Sequence, residues 1–154
     1  DFGLVRVQSL SHDGNRLTGV GTIAGTPAFM SPEQAADATD VDSRSDIYSL
    51  GAVAYFLLIG RPPFIHANSV ETMAAHLSEQ VVSPRRLNPE IPCDLDEVIM
   101  RCMEKDAGRR FQDLVAVDDA LARCACSSAW SVERAADWWR GRTLAPAERH
   151  AHDA

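Results

Sequence analysis

The chain has 154 residues, which is about the size of one domain, and its 45% hydrophobic and 24% charged residues are typical of a globular protein. Its 15 Lys and Arg against 22 Asp and Glu give a net charge of −7. This acidity argues against a nucleic-acid-binding module, because such a module needs a clustered basic surface.

The first 24 residues predict a short strand and then a long loop. Apolar and polar side chains alternate over residues 4–7, which favours a strand. Residues 8–24 are rich in Ser, Thr, Gly, Asp and Asn and follow neither the helical nor the strand period, so we expect a long mobile loop. A loop of this length in a compact domain is usually functional or disordered.

Two helix starts follow the loop. Residues 31–34 combine a serine N-cap, a proline at the first helical position and an acid in the first turn, and they predict a short helix. Ser43-Arg44-Ser45-Asp46 has the form of a capping box and predicts a helix to about Ile59 that stops at Gly60. This helix is apolar on nearly all faces and is shorter than the ~20 residues that span a bilayer. We therefore expect it to be the buried centre of the fold.

Apolar residues at helical spacing predict four more helices downstream. Three prolines at 84, 89 and 92 predict an extended, irregular segment between the first two of these helices. The four apolar stripes are Val70, Met73, Ala74 and Leu77; Leu95, Val98, Ile99, Cys102 and Met103; Leu114, Val117, Leu121 and Cys124; and Val132, Ala135, Ala136 and Trp139.

The four cysteines are expected to be free thiols, because the chain is long and shows no secretory signal. Cys124 and Cys126 form a C-x-C pair, which lacks the spacing of a zinc site. A metal site that adds His150 and His152 to this pair is the alternative to buried structural thiols.

Five short motifs follow one another along the chain. They are Asp-Phe-Gly at 1–3, Gly-Thr-Pro-Ala-Phe-Met-Ser-Pro-Glu at 25–33, Asp-Ile-Tyr-Ser-Leu-Gly at 46–51, Gly-Arg-Pro-Pro-Phe at 60–64 and Asp-Ala-Gly-Arg-Arg-Phe at 106–111. In order and spacing they resemble the C-terminal lobe of a protein kinase, in particular a bacterial eukaryotic-like serine/threonine kinase.

The resemblance covers residues 1–125 and implies a mainly α fold. This fold is the C-terminal helical lobe of the protein kinase, with a short N-terminal strand and a long activation loop. Residues 126–154 would form a C-terminal helical extension and a frayed tail.

The resemblance also implies roles for the first motif and for the loop. Asp1 would bind Mg²⁺, which neutralises ATP phosphate charge and prefers hard oxygen ligands. Phe2 would pack under the nucleotide site, and Gly3 would permit the backbone torsion required there. The loop would be the activation segment, with Thr18 and Thr22 as candidate phosphorylation sites. The alternatives are a surface acid, a core aromatic residue and ordinary loop hydroxyls.

Four later residues receive implied roles as well. Thr26 would position the substrate, and its alternative is the hydroxyl of a local turn. Glu33 would form a buried, bidentate ion pair with Arg110, or with the adjacent Arg109, that is structural and not catalytic. Asp46 would brace the catalytic loop by accepting backbone hydrogen bonds, and it can also serve as the acid of the capping box.

The sequence contains no glycine-rich phosphate loop, no strand with the phosphate-pairing lysine and no His-Arg-Asp catalytic loop. In the family these parts precede Asp-Phe-Gly, and this chain starts with Asp1 instead of Met. We therefore expect a fragment that is inactive alone, lacks its N-lobe, and exposes an apolar face of its central helix. The intact parent would use ATP and Mg²⁺ to phosphorylate Ser or Thr of protein substrates. The alternative is a pseudokinase-like binding or scaffold module.

Three further expectations concern surroundings and partners. We expect no nucleic-acid partner and no membrane segment in this chain. We also expect a cytoplasmic location, although a parent could be anchored through a segment elsewhere. Trp130, Trp138 and Trp139 cluster near the last helix, where we expect them to dock on the kinase lobe instead of forming a partner surface.

Overall fold

The computed structural model describes residues 26–36, 38–39 and 41–143, and side chains as far as residue 141. The described residues form helices joined by turns, in agreement with the expected mainly α lobe. The expected strand at 4–7 and the loop at 8–24 lie outside the described residues. The α-helices are α1 (Pro32–Ala35), α2 (Ser43–Ile59), α3 (Ser69–Ser78), α4 (Pro84–Leu87), α5 (Cys93–Cys102), α6 (Leu114–Ala122) and α7 (Val132–Thr143), and 3-10 turns occupy Pro27–Phe29, Ala107–Arg109 and Ser127–Ala129.

The start of α1 has the serine N-cap that its sequence predicts, and Gln34 completes a capping box with it. The Gln34 backbone N–H donates to the Ser31 hydroxyl at 3.3 Å, and the Ser31 N–H donates to the Gln34 side-chain carbonyl at 2.9 Å. These reciprocal bonds satisfy two N–H groups that have no partner within the helix. They fix the direction in which the chain leaves the preceding turn.

The capping box predicted for α2 is wrong, because Asp42 and not Ser43 is its N-cap. The Asp42 carboxylate accepts the Arg44 N–H at 2.9 Å and also pairs with the Arg44 guanidinium at 2.7 Å. A charged acceptor one residue earlier thus takes the capping role, and Ser43 becomes the first helical residue. The helix ends as expected at Gly60, which has the left-handed φ of 79°.

The segment predicted to be irregular contains the short helix α4, and this difference has a local cause. Pro84 occupies the first helical position, where a missing N–H has no cost. The Asp96 carboxylate on α5 accepts the Ser83 hydroxyl at 2.8 Å and the Arg85 N–H at 2.9 Å. Asp96, which is 11 positions after Arg85, therefore stabilises this short helix. The sequence around α4 does not show this contact.

Helix α2 is the centre of the fold, as its apolar sequence predicts. Ile47 packs towards α5 and α6, while Tyr48, Ala52 and Tyr55 face the other side, and all four are at most 1% exposed. Two apolar clusters thus meet at one helix. The first contains Ile47, Val98, Cys102, Phe111, Val117 and Cys124, and the second contains Tyr48, Ala52, Tyr55, Ile99 and Met103.

Helices α2 and α5 approach so closely at Gly51 that no larger residue fits there. A Cβ at this position would lie 2.7 Å from the Cys102 Cβ and 2.9 Å from the Met103 Cγ. The glycine therefore sets the distance between the two helices that carry most of the core.

Part of α2 is uncovered. Leu50, Val53 and Leu57 are 44%, 40% and 75% exposed, in agreement with the expected apolar face. Trp138 and Trp139 pack edge to face, but they are 41% and 64% exposed, so the burial expected on docking is not observed in the described part of the chain. Among the helices that the structure describes, none is long and apolar enough to cross a membrane.

Candidate functional site

The predicted site residues fall into two groups. Asp1, Phe2, Gly3, Thr18 and Thr22 lie outside the residues that the structure describes. Thr26, Glu33, Asp46 and Arg110 lie within them and belong to three distant parts of the sequence.

Thr26 begins a tight turn, residues 26–29, which we call the substrate turn. Its carbonyl accepts the Phe29 N–H at 3.1 Å, and its hydroxyl makes no capping hydrogen bond. The capping alternative for this hydroxyl is therefore not supported. Thr26 is exposed and borders an open groove of about 360 Å³, which Phe64 and Thr72 also line. A groove this open suits an extended chain better than an enclosed small molecule.

Directly after the substrate turn, Glu33 of α1 is joined to Arg110. The Arg110 guanidinium donates to both carboxylate oxygens, at 2.7 Å and 2.8 Å. This is the bidentate geometry in which a planar guanidinium matches a carboxylate. The Arg110 side chain is fully buried, and the Glu33 side chain is 17% exposed.

Arg110 also binds three backbone carbonyl groups. It donates to Arg44 at 2.8 Å, to Glu104 at 2.8 Å and to Lys105 at 3.1 Å. The guanidinium lies 5.0 Å from the centre of the Tyr48 ring as well. One side chain thereby links α1, the start of α2 and the turn after α5.

Electrostatics at this pair favour the ionised carboxylate. Burial alone would raise the pKa of Glu33, but hydrogen bonds from Arg110 and from the Ser45 hydroxyl outweigh it and lower this pKa to about 2. Glu33 is therefore fully charged at neutral pH. Both partners have fixed charges and all their main hydrogen-bonding positions are used, so the pair can hold a loop in place but is not poised for proton transfer.

The remaining candidates are on the surface. Arg109, the alternative partner of Glu33, is exposed, and the pair forms with Arg110 instead. Asp46 lies in the first turn of α2 with an exposed side chain. This carboxylate is open to contact from outside the described helices.

A buried polar cluster behind the substrate turn was not identified from the sequence. The Tyr48 hydroxyl and the His76 Nδ1 are 2.9 Å apart, and both residues are completely buried. The Lys105 ammonium donates to the carbonyls of Ala75 at 3.2 Å and of His76 at 2.7 Å, and lies 4.5 Å from the Phe64 ring centre. The buried face of α3 is Thr72, Ala75 and His76, whereas Val70 and Leu77 of the apolar stripe predicted for this helix are 64% and 45% exposed. The expected core face is therefore wrong, and the burial of His76 has no local signal.

Burial controls protonation in this cluster. Desolvation and the nearby Lys105 ammonium lower the pKa of His76 to about 4, so the ring is neutral at pH 7. Desolvation also lowers the pKa of Lys105 to about 8. The cluster therefore holds one cation, which the carbonyl groups and the aromatic faces partly compensate.

The thiols differ in burial: Cys102 and Cys124 are buried, whereas Cys93 is exposed. The cysteines at 93, 102, 124 and 126 are free. Within the described ranges, no group of three His, Cys, Asp or Glu residues is placed to hold a metal ion. His150 and His152, which the alternative metal site needs, lie outside those ranges.

Known proteins resemble this chain over the same region. A family model described as the protein kinase domain matches residues 1–125. The serine/threonine-protein kinase PknB of Mycolicibacterium smegmatis is 38% identical over 129 residues, which is 79% of this chain and 20% of that protein. The DNA damage-responsive serine/threonine-protein kinase RqkA of Deinococcus radiodurans is 43% identical over 125 residues, 80% of this chain and 18% of that protein. The chain thus spans about a fifth of the length of these curated relatives.

Proposed function

The chain belongs to the protein kinase family, and we propose that it is the C-terminal lobe of a serine/threonine kinase. This kinase would transfer the γ-phosphate of ATP to Ser or Thr of protein substrates. The observation that carries the proposal is the family match over residues 1–125 together with relatives that are named serine/threonine-protein kinases.

In this proposal the lobe supplies a rigid support for the substrate. Phosphoryl transfer depends mostly on positioning and on neutralising phosphate charge, so a misplaced substrate loses rate. Arg110 fixes Glu33, and Glu33 follows the substrate turn by only a few residues. Thr26, whose hydroxyl makes no capping bond, is then held at the edge of the groove where a peptide would lie.

Members of the protein kinase family use a nucleotide and a divalent metal, and we propose ATP and Mg²⁺ here. Asp1 would be the metal ligand, because an ionised carboxylate is a hard oxygen donor of the type that Mg²⁺ prefers. Bound Mg²⁺ would neutralise charge on the phosphates. Phe2 and Gly3 would shape the floor of the nucleotide site, and Thr18 or Thr22 would accept an activating phosphate.

We also propose that Asp46 braces the catalytic loop, for which its exposed carboxylate at the start of α2 is suited. Residues 126–154 would form an extension beyond the lobe, since the Asp94 carboxylate still ties the Ala125 N–H to α5 at 2.6 Å. A cytoplasmic location suits the free thiols and the need for ATP. The names of the relatives do not favour a pseudokinase scaffold.

The test is phosphate transfer by the complete protein that includes this chain. It is incubated with ATP, Mg²⁺ and peptides that carry a single Ser, Thr or Tyr. We expect transfer to Ser and Thr peptides, no transfer to the Tyr peptide, and loss of transfer in the Asp1→Asn variant. An Asp1→Asn protein that binds a peptide ligand but transfers phosphate as fast as the wild type would contradict the proposed metal role.

A further inference from the structure

The buried ring of His76 has one nitrogen engaged and one without a partner. Its Nδ1 is 2.9 Å from the Tyr48 hydroxyl, whereas its Nε2 has no hydrogen-bond partner among the described residues. The ring is 0% exposed, so water does not satisfy this nitrogen at the surface. Leaving a buried polar atom in this condition costs free energy, and such an atom often has a functional reason.

Helix α3, which carries His76, packs against the substrate turn. Burial and Lys105 lower the pKa of His76, whereas the backbone groups of Ala28 and Pro27 act to raise it, although neither meets hydrogen-bond geometry with Nε2. Since Tyr48 occupies Nδ1, this interaction falls to Nε2. The neutral ring carries one proton, and a Tyr48 hydroxyl that donates to Nδ1 leaves this proton on Nε2.

The ring is held firmly from its other sides. Phe64 and Tyr48 pack edge to face on it, at 4.9 Å and 5.6 Å between ring centres, and Lys105 holds the backbone through the His76 carbonyl at 2.7 Å. The ring therefore has little freedom to follow a moving partner. The turn, and not the ring, would therefore have to adjust to bring a carbonyl group within reach of Nε2.

We propose that His76 is a positioning residue whose Nε2–H hydrogen-bonds a carbonyl group of the substrate turn when a peptide occupies the groove. The inference rests on the proposed function, because it takes the turn at 26–29 as the place that receives the substrate. It adds a residue that touches neither the peptide nor ATP. His76 acts through Pro27 and Ala28, and Tyr48 sets its tautomer.

The role is tested by the kinetics of the complete kinase, with variants of His76 that either keep or lose a hydrogen-bond donor at the position of Nε2. Gln at 76 places an amide N–H₂ near the position of Nε2, whereas Asn and Phe do not reach it. We expect His76→Asn and His76→Phe to raise the KM for a single-serine peptide about three- to tenfold, as for one lost hydrogen bond. The kcat and the KM for ATP should change less than about twofold, and His76→Gln should restore the peptide KM.

Tyr48→Phe should raise the peptide KM as well. Without the Tyr48 hydroxyl, nothing holds the proton of the His76 ring on Nε2. The matched control is Tyr55→Phe, which removes a hydroxyl from another buried tyrosine of α2. Equal peptide KM values for His76→Gln, His76→Asn and the wild type would overturn the proposal. A fall in kcat with an unchanged KM in His76→Asn would do so too.

Amide exchange followed by NMR decides the matter independently of activity. The Phe29 and Met30 N–H groups close the substrate turn on Thr26 and Pro27, and the Gly60 N–H closes the end of α2. With the single-serine peptide bound in the groove, we expect exchange at Phe29 and Met30 to be about three- to tenfold faster in His76→Asn than in His76→Gln, with Gly60 unchanged. Equal exchange in the two variants refutes the role of His76 even if phosphate transfer is intact. If exchange is faster in His76→Asn but the complete protein does not transfer phosphate, the role of His76 is supported and only the proposed function is rejected.

Discussion

Replacing Arg110 by Ala tests whether the lobe depends on one ion pair. The substitution removes both bonds to Glu33 and leaves three backbone carbonyl groups without their donor. The Glu33 carboxylate then keeps its partial burial without its cation. Breaking a buried pair by removing one partner is more costly than never having formed it.

Two estimates of the magnitude agree. The pKa of Glu33 is about 2 against a usual value of 4.5, and this difference of about 2.5 pH units corresponds to about 3 kcal/mol at neutral pH. Lost carbonyl partners add to this, and buried pairs generally cost about 3–5 kcal/mol when broken. A domain is stable by about 5–15 kcal/mol, so this loss is a large part of the total.

The measurement is urea-induced unfolding of the chain at pH 7, with Arg109→Ala as the matched control. Arg109 is exposed and adjacent, so its removal changes the charge equally and should alter the free energy of unfolding by less than about 0.5 kcal/mol. We expect Arg110→Ala to lose about 3–5 kcal/mol relative to it. Glu33→Gln is the milder second variant, with an expected loss of about 1.5–3 kcal/mol if Arg110→Ala does not fold. Values for Arg110→Ala and Arg109→Ala within about 1 kcal/mol of each other would refute the reasoning.

Three other features make predictions about stability. His76 has a pKa of about 4 when folded and 6.5 when unfolded, so unfolded chains take up its proton first. The free energy of unfolding should therefore fall by about 3 kcal/mol between pH 7 and pH 4, and urea titrations of His76→Gln should lack this part of the fall. Gly51→Ala should cost about 1–3 kcal/mol by overpacking, whereas Gly141→Ala, where nothing lies within 4 Å, should cost nothing in the same thermal melts. Asp42→Ala should lose about 1 kcal/mol of unfolding free energy as a lost cap, and an equal loss in Ser43→Ala would contradict the assigned N-cap.

Local sequence signals were sufficient for the features that depend on neighbours along the chain. Ser31 and Gly60 mark helix ends because capping and the left-handed conformation involve a few adjacent residues. The error at α2 arose because Asp42 and Ser43 are both good N-caps, and the additional bond from Arg44 favours the acid. The spacing of apolar residues does not show which of these two residues is the N-cap.

Features formed by distant residues were harder to predict. The pairing of Glu33 with Arg110 was expected because the family resemblance supplied it, and spacing alone does not connect positions 77 residues apart. No comparable guide existed for His76, which meets Tyr48 across 28 residues. Its burial follows from how α3 packs against the substrate turn and α1, and such packing is a property of the whole fold.

Arg110 and His76 support the same short segment by different chemistry. Arg110 fixes the residues after the substrate turn with a charged pair of fixed geometry, whereas His76 is a neutral residue of the helix that packs against the turn itself. A charged pair is rigid because all its bonding positions are filled, and a nitrogen without a partner leaves room for one more bond. In the proposed function, a turn with an immobile anchor on one side and an adjustable contact on the other would close on a peptide without losing its place in the lobe. In such an arrangement Arg110 variants should change stability first, and His76→Asn should change the peptide KM first.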